Sequence, residues 1–374
     1  MPCRAHSVPP TPGTDYHSAV ASADRRTRRT RLTRVGQVAA VALAVLLPAA
    51  CTSSTAKTTP AKRPTAAVSA SPAPSVTPSP TRATAAPLGN PGTFPVGQQQ
   101  VTFTEPAHTS AGQAIGPRTL VTQVDYPLAA SSAAQPAPGP LPLIVFGPGF
   151  QECVSTYGEL LRTWASAGYV VAGVTFPRTN CQLGGAAGEA DLVNQPADMS
   201  YVISAMLELS EQPHDVVSGL LNGQQIAVAG QSDGGDTVAA MAANTCCADH
   251  RLKAAAVLSG AEWPAMPGRY FTAAAPPMLF TQGNADTINP PSASLLLYGS
   301  DEAGLRYYLN LSGASHMVPY AGTNPVERLV ARVTLAFFNR YVLGQAGALA
   351  TLAQQGNAAG AALVSGGHVP SDAG

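Results

Sequence analysis

The sequence carries little charge. Charged residues make up 11% of the 374 positions, and 21 Lys and Arg balance 21 Asp and Glu, which gives a formal net charge of +0. A nucleic-acid-binding surface needs an excess of cationic side chains, so the composition offers no electrostatic case for a nucleic-acid partner. Hydrophobic residues make up 45%, which is enough for a globular core under a weakly charged surface.

The sequence also lacks CxxC pairs and the Cys/His spacings that are typical of metal sites. Disulfides are therefore expected rather than zinc, and no metal or cofactor is implied. Of the six cysteines, Cys3 and Cys51 fall in the N-terminal segment discussed next. The remaining four allow three pairings, and they are Cys153, Cys181, Cys246 and Cys247.

The N-terminal apolar run, residues 35–47, is too short to span a bilayer comfortably. Arginines crowd residues 25–34 before it, and Pro48 and two alanines lead from it to Cys51. This order predicts an export signal over residues 1–51. It resembles a bacterial lipoprotein signal, which implies a lipid anchor at Cys51 on the outer face of the membrane. Pro48 departs from the usual aliphatic residue, so a cleaved secretory peptide is the alternative.

Three composition zones follow the predicted signal. Residues 52–95 are dominated by Pro, Ala, Ser and Thr, which predicts a disordered linker because little apolar area can be buried. Residues 344–374 are rich in Ala and Gly and are expected to form a flexible tail. The compact domain is therefore predicted to span residues 96–343.

Apolar, β-rich runs alternate with helical patterns through that domain. Continuous apolar runs predict buried parallel strands, and repeated strand–helix units predict an α/β fold with helices on both faces of the sheet. No large insertion interrupts the later units, so no large cap domain is expected and the site should be open. Strands are predicted at 100–103, 120–126, 141–146, 169–176, 225–229, 254–258, 278–281 and 307–311, and helices at 156–166, 190–209, 235–244, 291–298 and 325–341.

Residues 230–234 read Gly-Gln-Ser-Asp-Gly and match the G-x-S-x-G pattern. They lie between a predicted strand and a predicted helix, where a tight turn would present the Ser232 hydroxyl at a helix N-terminus. The alternative is a glycine-rich turn that is capped by Ser or Asp and has no catalytic role. The context predicts that Ser232 is the nucleophile of a serine hydrolase, and such a hydroxyl needs a base to take its proton.

The base is predicted to be His316, which directly follows the last predicted strand at the carboxyl edge of the sheet. His250 precedes a strand and His368 lies in the tail. The acid is predicted to be Asp286, which follows the strand at 278–281 and could orient the imidazole. Asp301 is the reserve candidate, and an Asx turn at Asp286 or a surface role for His316 is the alternative.

Two backbone amides are needed to stabilise the oxyanion of a tetrahedral intermediate. The residue after the nucleophile, Asp233, is predicted to supply one of them. The loop after the third predicted strand reads Phe146-Gly147-Pro148-Gly149-Phe150, and Phe150 is predicted to supply the other.

These segments together, with the runs GPGFQE, GQSDGG, GNADTINPP and GASHMVP, resemble the dienelactone hydrolase and platelet-activating-factor acetylhydrolase relatives. Within them, the layout over about residues 97–342 is similar to bacterial cutinase-like polyester hydrolases. The resemblance implies an α/β-hydrolase fold, hydrolysis of small, lipid or polymeric esters, and a substrate site lined by Phe150 and Trp263. Trp263 could instead serve plain packing.

The departures from that family concern the residues beside the nucleophile and the cysteines. Gln231 and Asp233 replace the usual His and Met, and an acidic neighbour would repel anionic substrates. The family disulfide that ties the acid and histidine loops is absent. We favour Cys153 with Cys181 instead, because both follow strands that should end at the same sheet edge. Cys246 and Cys247 would then be bonded to each other or free.

The sequence therefore predicts an exported serine hydrolase that cleaves carboxylic esters through an acyl-enzyme. It is expected in the cell envelope, lipid-anchored, or secreted. The alternative is a non-catalytic envelope lipoprotein that uses a hydrolase scaffold to bind a ligand.

Overall fold

A computed structural model describes residues 87–110, 113–129, 132–302 and 304–366. The predicted export signal, Cys51, most of the predicted linker and the last eight residues lie outside the described residues. Within the described ranges, no helix is both long enough and apolar enough to cross a membrane.

The described strands and helices follow the predicted alternation. The strands are β1 Val96–Glu105, β2 His108–Ser110, β3 Gln113–Ile115, β4 Arg118–Ala129, β5 Ser132–Pro136, β6 Leu141–Gly147, β7 Val170–Thr175, β8 Leu221–Gln231, β9 Leu252–Leu258, β10 Met278–Gly283, β11 Arg306–Leu311 and β12 Ala361–Ser365. The helices are α1 Gly158–Ser166, α2 Gln195–Glu211, α3 Asp233–Ala243, α4 Pro291–Ser300, α5 Pro325–Tyr341 and α6 Ala348–Gly356.

One sheet runs in the order β1-β4-β7-β6-β8-β9-β10-β11-β12, with β5 paired to β4. The six strands from β7 to β11 in this order are mutually parallel, whereas β1, β4 and β12 pair antiparallel at the two sides. Parallel strands end at a common edge, so the loops that follow β6, β8, β9, β10 and β11 meet there. The mostly parallel sheet predicted from the apolar runs is confirmed.

The central strands are buried on both faces, which is why their sequences are continuously apolar. In β6 every residue is buried; Leu143 and Val145 belong to one hydrophobic cluster and Ile144 and Phe146 to the other. The first cluster includes residues of α2, α3 and α4, and the second includes residues of α1 and α5. Helices therefore cover both faces of the sheet.

Helix α5 shows how local sequence sets an element that supports the site. Asn324 caps it, and its side-chain oxygen accepts hydrogen bonds from the amides of Val326 and Glu327. Pro325 stands at the first helical position, where its missing N–H costs nothing. The helix begins at the residue that the sequence predicts and ends at Tyr341 as predicted.

The C-terminal segment corrects the prediction of a flexible tail over residues 344–374. Residues Ala348–Gly356 form α6, and Ala361–Ser365 form β12, which pairs antiparallel with β11. Leu352 is buried among residues of the second cluster. Small residues permit this packing, because a Cβ at Gly356 would press on the Leu363 side chain. The low hydrophobicity of this segment therefore reflects the small residues that let α6 and β12 pack closely, and it does not indicate disorder.

The N-terminal boundary of the domain also lies earlier than the predicted residue 96. The segment before β1 packs on the domain, since Phe94 is buried and the amide of Gly89 donates to the carbonyl of Ala167. The Asn339 side chain donates in turn to the Gly89 carbonyl. The last part of the predicted linker, from residue 87, is therefore held by α5 and the end of α1.

Candidate active site

Ser232 lies in the turn between β8 and α3 with a strained backbone. Its φ is 54° and its ψ is −124°, in a region that few non-glycine residues adopt. The turn is tight enough to exclude a side chain at the two glycine positions of the motif. A Cβ at Gly230 would overlap the Gly234 carbonyl, and a Cβ at Gly234 would overlap the Gly147 carbonyl. The two glycines of the motif are therefore required by close backbone approach.

Asp286 and His316 are brought together at the same edge. Asp286 follows β10 and His316 follows β11, and His316 Nδ1 lies 2.7 Å from Asp286 Oδ2. Both side chains are buried. Burial alone would raise the pKa of Asp286, but hydrogen bonding and charge from His316, with the amides of Ile288 and Asn289, together hold that pKa below its usual value. The carboxylate is thus kept ionised and aimed at the imidazole.

Gln282, at the end of β10, supports the same carboxylate. Its side-chain nitrogen donates to Asp286 Oδ2 over 2.9 Å and to the Asn289 carbonyl over 2.9 Å. The amides of Ile288 and Asn289 donate to the other carboxylate oxygen over 2.9 Å and 3.0 Å. Both oxygens of Asp286 are therefore occupied by donors, which leaves its side chain one orientation. The reserve candidate Asp301 lies at the C-terminal end of α4, before β11 rather than after a strand, and the partner of His316 Nδ1 is Asp286.

The far nitrogen of His316 is engaged by Gln231 rather than by the serine. Gln231 Nε2 lies 3.1 Å from His316 Nε2 and 3.3 Å from the His316 carbonyl oxygen. Among the described residues, no hydrogen bond engages Ser232 Oγ. Catalytic hydrogen bonds are often long before substrate binds, so this geometry is compatible with a Ser–His pair that forms later.

The loop after β6 lies against the nucleophile. A Cβ at Gly149 would come within 3.1 Å of Ser232 Cβ, so the backbone of this loop passes close to the serine. The Phe150 amide has no hydrogen-bond partner in the described part of the chain. The neighbouring Gln151 amide donates to the Thr179 carbonyl over 2.7 Å. The loop is therefore anchored beside Phe150 while the Phe150 N–H itself stays available.

Asp233, the other predicted amide donor, begins α3, where backbone N–H groups have no intrahelical partner. Its side chain is buried, and burial raises its pKa to about 7; the charge of Glu189 adds to the rise, and a hydrogen bond from its own backbone amide opposes it. The Asp233 carboxyl group therefore lies close to the Asp233 backbone amide, which is the amide predicted to bind the oxyanion.

Trp263, predicted as a substrate wall, lies in the loop after β9 and is partly buried. It packs against a small cluster that contains Leu192, Ala240 and Met266. The loop after β9 thus lies at the same edge of the sheet as Ser232, Asp286 and His316. Trp263 also packs against the cluster that contains Ala240 of α3. Whether it also contacts substrate stays a prediction.

The four cysteines of the domain form two disulfides. Cys153 is bonded to Cys181, which is the pairing favoured from the sequence, and Cys246 is bonded to Cys247. The first bridge joins the loop after β6 to the loop after β7. The second joins two adjacent residues just after the C-terminal end of α3. Cys247 packs against the same small cluster as Trp263.

Some residues that shape the site carry no sequence motif. Tyr157 is buried, accepts a hydrogen bond from the Gly149 amide over 3.2 Å and donates to Gln231 Oε1 over 2.7 Å. Burial raises the pKa of Tyr157 far above its usual value, so its hydroxyl keeps its proton. Tyr157 and Gln282 were not predicted, and Gln231 was noted only as a departure from the family. In the described ranges, no group of three or more His, Cys, Asp or Glu side chains is arranged to hold a metal ion.

A mostly parallel sheet with a strained serine on the turn from β8 to α3 defines the α/β-hydrolase fold. A protein-family model described as PET hydrolase-like matches residues 75–355. The chain therefore belongs to the PET hydrolase-like family, whose members are hydrolases that act on esters. The match extends into α6, beyond the predicted end of the domain. No curated protein matches the chain.

Proposed function

We propose that this protein is an exported serine hydrolase that cleaves carboxylic esters with Ser232, His316 and Asp286. The observation that carries the proposal is the buried 2.7 Å contact between His316 and Asp286 at the sheet edge where the strained Ser232 turn also lies. Family membership supports an ester as the substrate. The roles of the individual residues are inferred from their positions and hydrogen bonds.

In the first half of the reaction, Ser232 Oγ attacks the ester carbonyl carbon while His316 Nε2 takes the hydroxyl proton. Asp286 accepts the Nδ1 proton in a hydrogen bond and stabilises the imidazolium that forms. The carbonyl oxygen becomes an oxyanion, which the amides of Phe150 and Asp233 would bind. His316 then gives its proton to the departing alkoxide, and the acyl group remains on Ser232.

In the second half, His316 takes a proton from water, and the hydroxide attacks the acyl carbon. The second tetrahedral intermediate collapses when Ser232 leaves with the proton from His316. No metal or cofactor is needed for either half. Each oxyanion donor contributes roughly 3–4 kcal/mol of transition-state stabilisation in hydrolases of known mechanism.

The substrate class proposed is an accessible carboxylic ester, whether small, lipid or polymeric. The short connections between β8, β9 and β10 leave little chain for a covering domain, which favours an open cleft. Asp233 lies directly beside the nucleophile, and above pH about 7, where its carboxyl group is ionised, its charge disfavours substrates with a carboxylate near the scissile bond. Neutral esters are therefore expected to react faster than anionic ones of the same length.

The proposed location is the cell envelope, with a lipid anchor at Cys51, or the outside of the cell. This part of the proposal rests on the sequence of residues 1–51. Labelling producing cells with a radioactive fatty acid tests it, with a Cys51→Ser variant as control. If the wild-type protein takes up no label, Cys51 is not an anchor.

A panel of p-nitrophenyl esters with increasing acyl length tests the catalytic proposal. Wild type should turn over the panel, and Ser232→Ala should lose activity to near the background rate. A fluorophosphonate probe should label wild type and not Ser232→Ala. Equal turnover by the two proteins would refute the role of Ser232. Failure of wild type to react with both ester and probe would favour the alternative of a non-catalytic ligand-binding lipoprotein.

A further inference from the structure

Gln231 connects the loop after β6 to the histidine that is the proposed base. The Gly149 amide donates to the Tyr157 hydroxyl, which donates to Gln231 Oε1 over 2.7 Å. Gln231 Nε2 then faces His316 Nε2 at 3.1 Å. Gln231 and Tyr157 are both fully buried, so water does not compete for these bonds.

The neighbours of Gln231 fix which end of its amide faces the histidine. Tyr157 stays protonated and already accepts from Gly149, so its own proton is directed to Gln231 Oε1. The His316 carbonyl, an acceptor, lies 3.3 Å from Gln231 Nε2. A flipped amide would place its oxygen against that carbonyl. The nitrogen, which can only donate, therefore faces His316.

An amide N–H that points at His316 Nε2 requires a lone pair there. The ring proton must then reside on Nδ1, which faces Asp286 Oδ2 at 2.7 Å. This is the tautomer that a general base needs, but the lone pair on His316 Nε2 already accepts a hydrogen bond from Gln231. Asp286 alone would select the same tautomer, so the distinctive effect of Gln231 is the occupation of Nε2.

This inference rests on the proposed function. We propose that Gln231 is a positioning residue whose hydrogen bond holds His316 Nε2 away from Ser232 in the resting enzyme, and we call this contact the latch. Ser232 Oγ has no hydrogen bond among the described residues, whereas His316 Nε2 has Gln231. When Nε2 takes the serine proton, its new N–H opposes the N–H of Gln231. The contact must therefore open before or during proton transfer, and its hydrogen-bond energy adds to the barrier of acylation.

The test replaces Gln231 by Leu, which has a similar size and no hydrogen-bonding group, and by Asn, which is one methylene too short to reach both partners. Gln225→Leu, on the same strand but away from the site, is the matched control. The readout is the second-order rate of inactivation by a small fluorophosphonate, which gains little from substrate-binding contacts. A buried neutral hydrogen bond typically contributes about twofold to tenfold in an equilibrium, so Leu and Asn should accelerate inactivation by about that factor.

Several outcomes decide the matter. If Gln231→Leu and Gln231→Asn react no faster than wild type while Ser232→Ala does not react, the latch is refuted and the proposed function survives. If Ser232→Ala still reacts, the proposed function itself fails. A purely structural role predicts slower reaction in both Gln231 variants, and it predicts kcat and KM losses that track unfolding.

A measurement on the wild-type protein covers the case in which the variants fold poorly. Nuclear magnetic resonance on 15N-labelled protein should show a scalar coupling through the hydrogen bond between Gln231 Nε2 and His316 Nε2. The coupling should vanish after fluorophosphonate modification of Ser232, because His316 then turns to the new group. Its absence from the resting enzyme would overturn the proposal.

Discussion

Removal of the Cys153–Cys181 disulfide should destabilise the domain far more than removal of Cys246–Cys247. The first bridge joins residues 28 apart in sequence, and the second joins neighbours. Chain-entropy arguments assign a closed loop of that first size about 3.5 kcal/mol of stabilisation, because the crosslink restricts the unfolded chain. A bridge between neighbours closes almost no loop, so its contribution by the same argument is close to zero.

The assay is chemical denaturation of wild type, the Cys153→Ser/Cys181→Ser variant and the Cys246→Ser/Cys247→Ser variant. The first variant should lose about 3.5 kcal/mol of the free energy of unfolding, which corresponds to a melting temperature about 7–14 °C lower for a domain of roughly this size. The second variant should remain within about 1 kcal/mol of wild type. Equal losses in the two variants would refute the reasoning.

Activity should respond less than stability to the first pair of substitutions. The Gln151 amide still donates to the Thr179 carbonyl, and the Gln151 side chain still donates to the Gly184 carbonyl. These bonds hold the loop that carries Phe150 after the disulfide is gone. At 25 °C, well below the melting temperature, kcat/KM for a p-nitrophenyl ester should therefore fall by less than about tenfold. A complete loss of activity in folded protein would contradict this account.

Three further predictions concern other parts of the chain. Asp286→Asn should lower kcat by about 10³- to 10⁴-fold with an unchanged circular dichroism spectrum, because the amides of Ile288 and Asn289 would hold the new amide oxygen and leave its NH2 group facing His316 Nδ1, which selects the wrong imidazole tautomer and removes the negative charge; a loss below tenfold would argue against the role of Asp286. Asp233 has a pKa raised to about 7 in the folded state, so the stability that its neutral form contributes is fully present below the unfolded pKa and is lost as pH rises through about 7. The melting temperature of Asp233→Asn minus that of wild type should thus be more positive at pH 8 than at pH 5, and an unchanged difference would contradict the assignment. Truncation after residue 343 should expose the edge of β11 and promote aggregation in light scattering, whereas a flexible tail would be dispensable.

The fold was largely predictable because its central strands are buried on both faces. Runs such as that of β6 have no polar position, and a helix of similar length would rarely be so uniformly apolar. The strands that sequence reasoning missed are β2, β3, β5 and β12. These strands are short, most of their residues are small or polar, and the described ones are exposed or partly exposed, so neither alternation nor long apolar runs mark them. β12 exists because the edge of β11 offers unpaired backbone groups, which is a property of the tertiary structure.

The positions of Ser232, Asp286 and His316 were predictable because each directly follows a predicted strand that ends at the same edge. The side chains around them were not, because their contacts join distant parts of the chain. Tyr157 and Gln231 are 74 residues apart, and Gln231 and His316 are 85 residues apart. Local sequence patterns hold no information about such contacts. A polar residue beside a nucleophile can also be present for reasons unrelated to catalysis, so the role of Gln231 could not be predicted.

The turn at Ser232 separates what the backbone fixes from what the side chains can vary. Gly230 and Gly234 are held by close backbone approach, and any Cβ there would collide with main-chain atoms. Positions 231 and 233, between the two glycines and the serine, carry the side chains of Gln and Asp. One engages the proposed base, and the other lies against a proposed oxyanion amide. These two positions can therefore alter the timing and the substrate preference of the reaction while the strained turn, on which nucleophilic attack depends, stays the same.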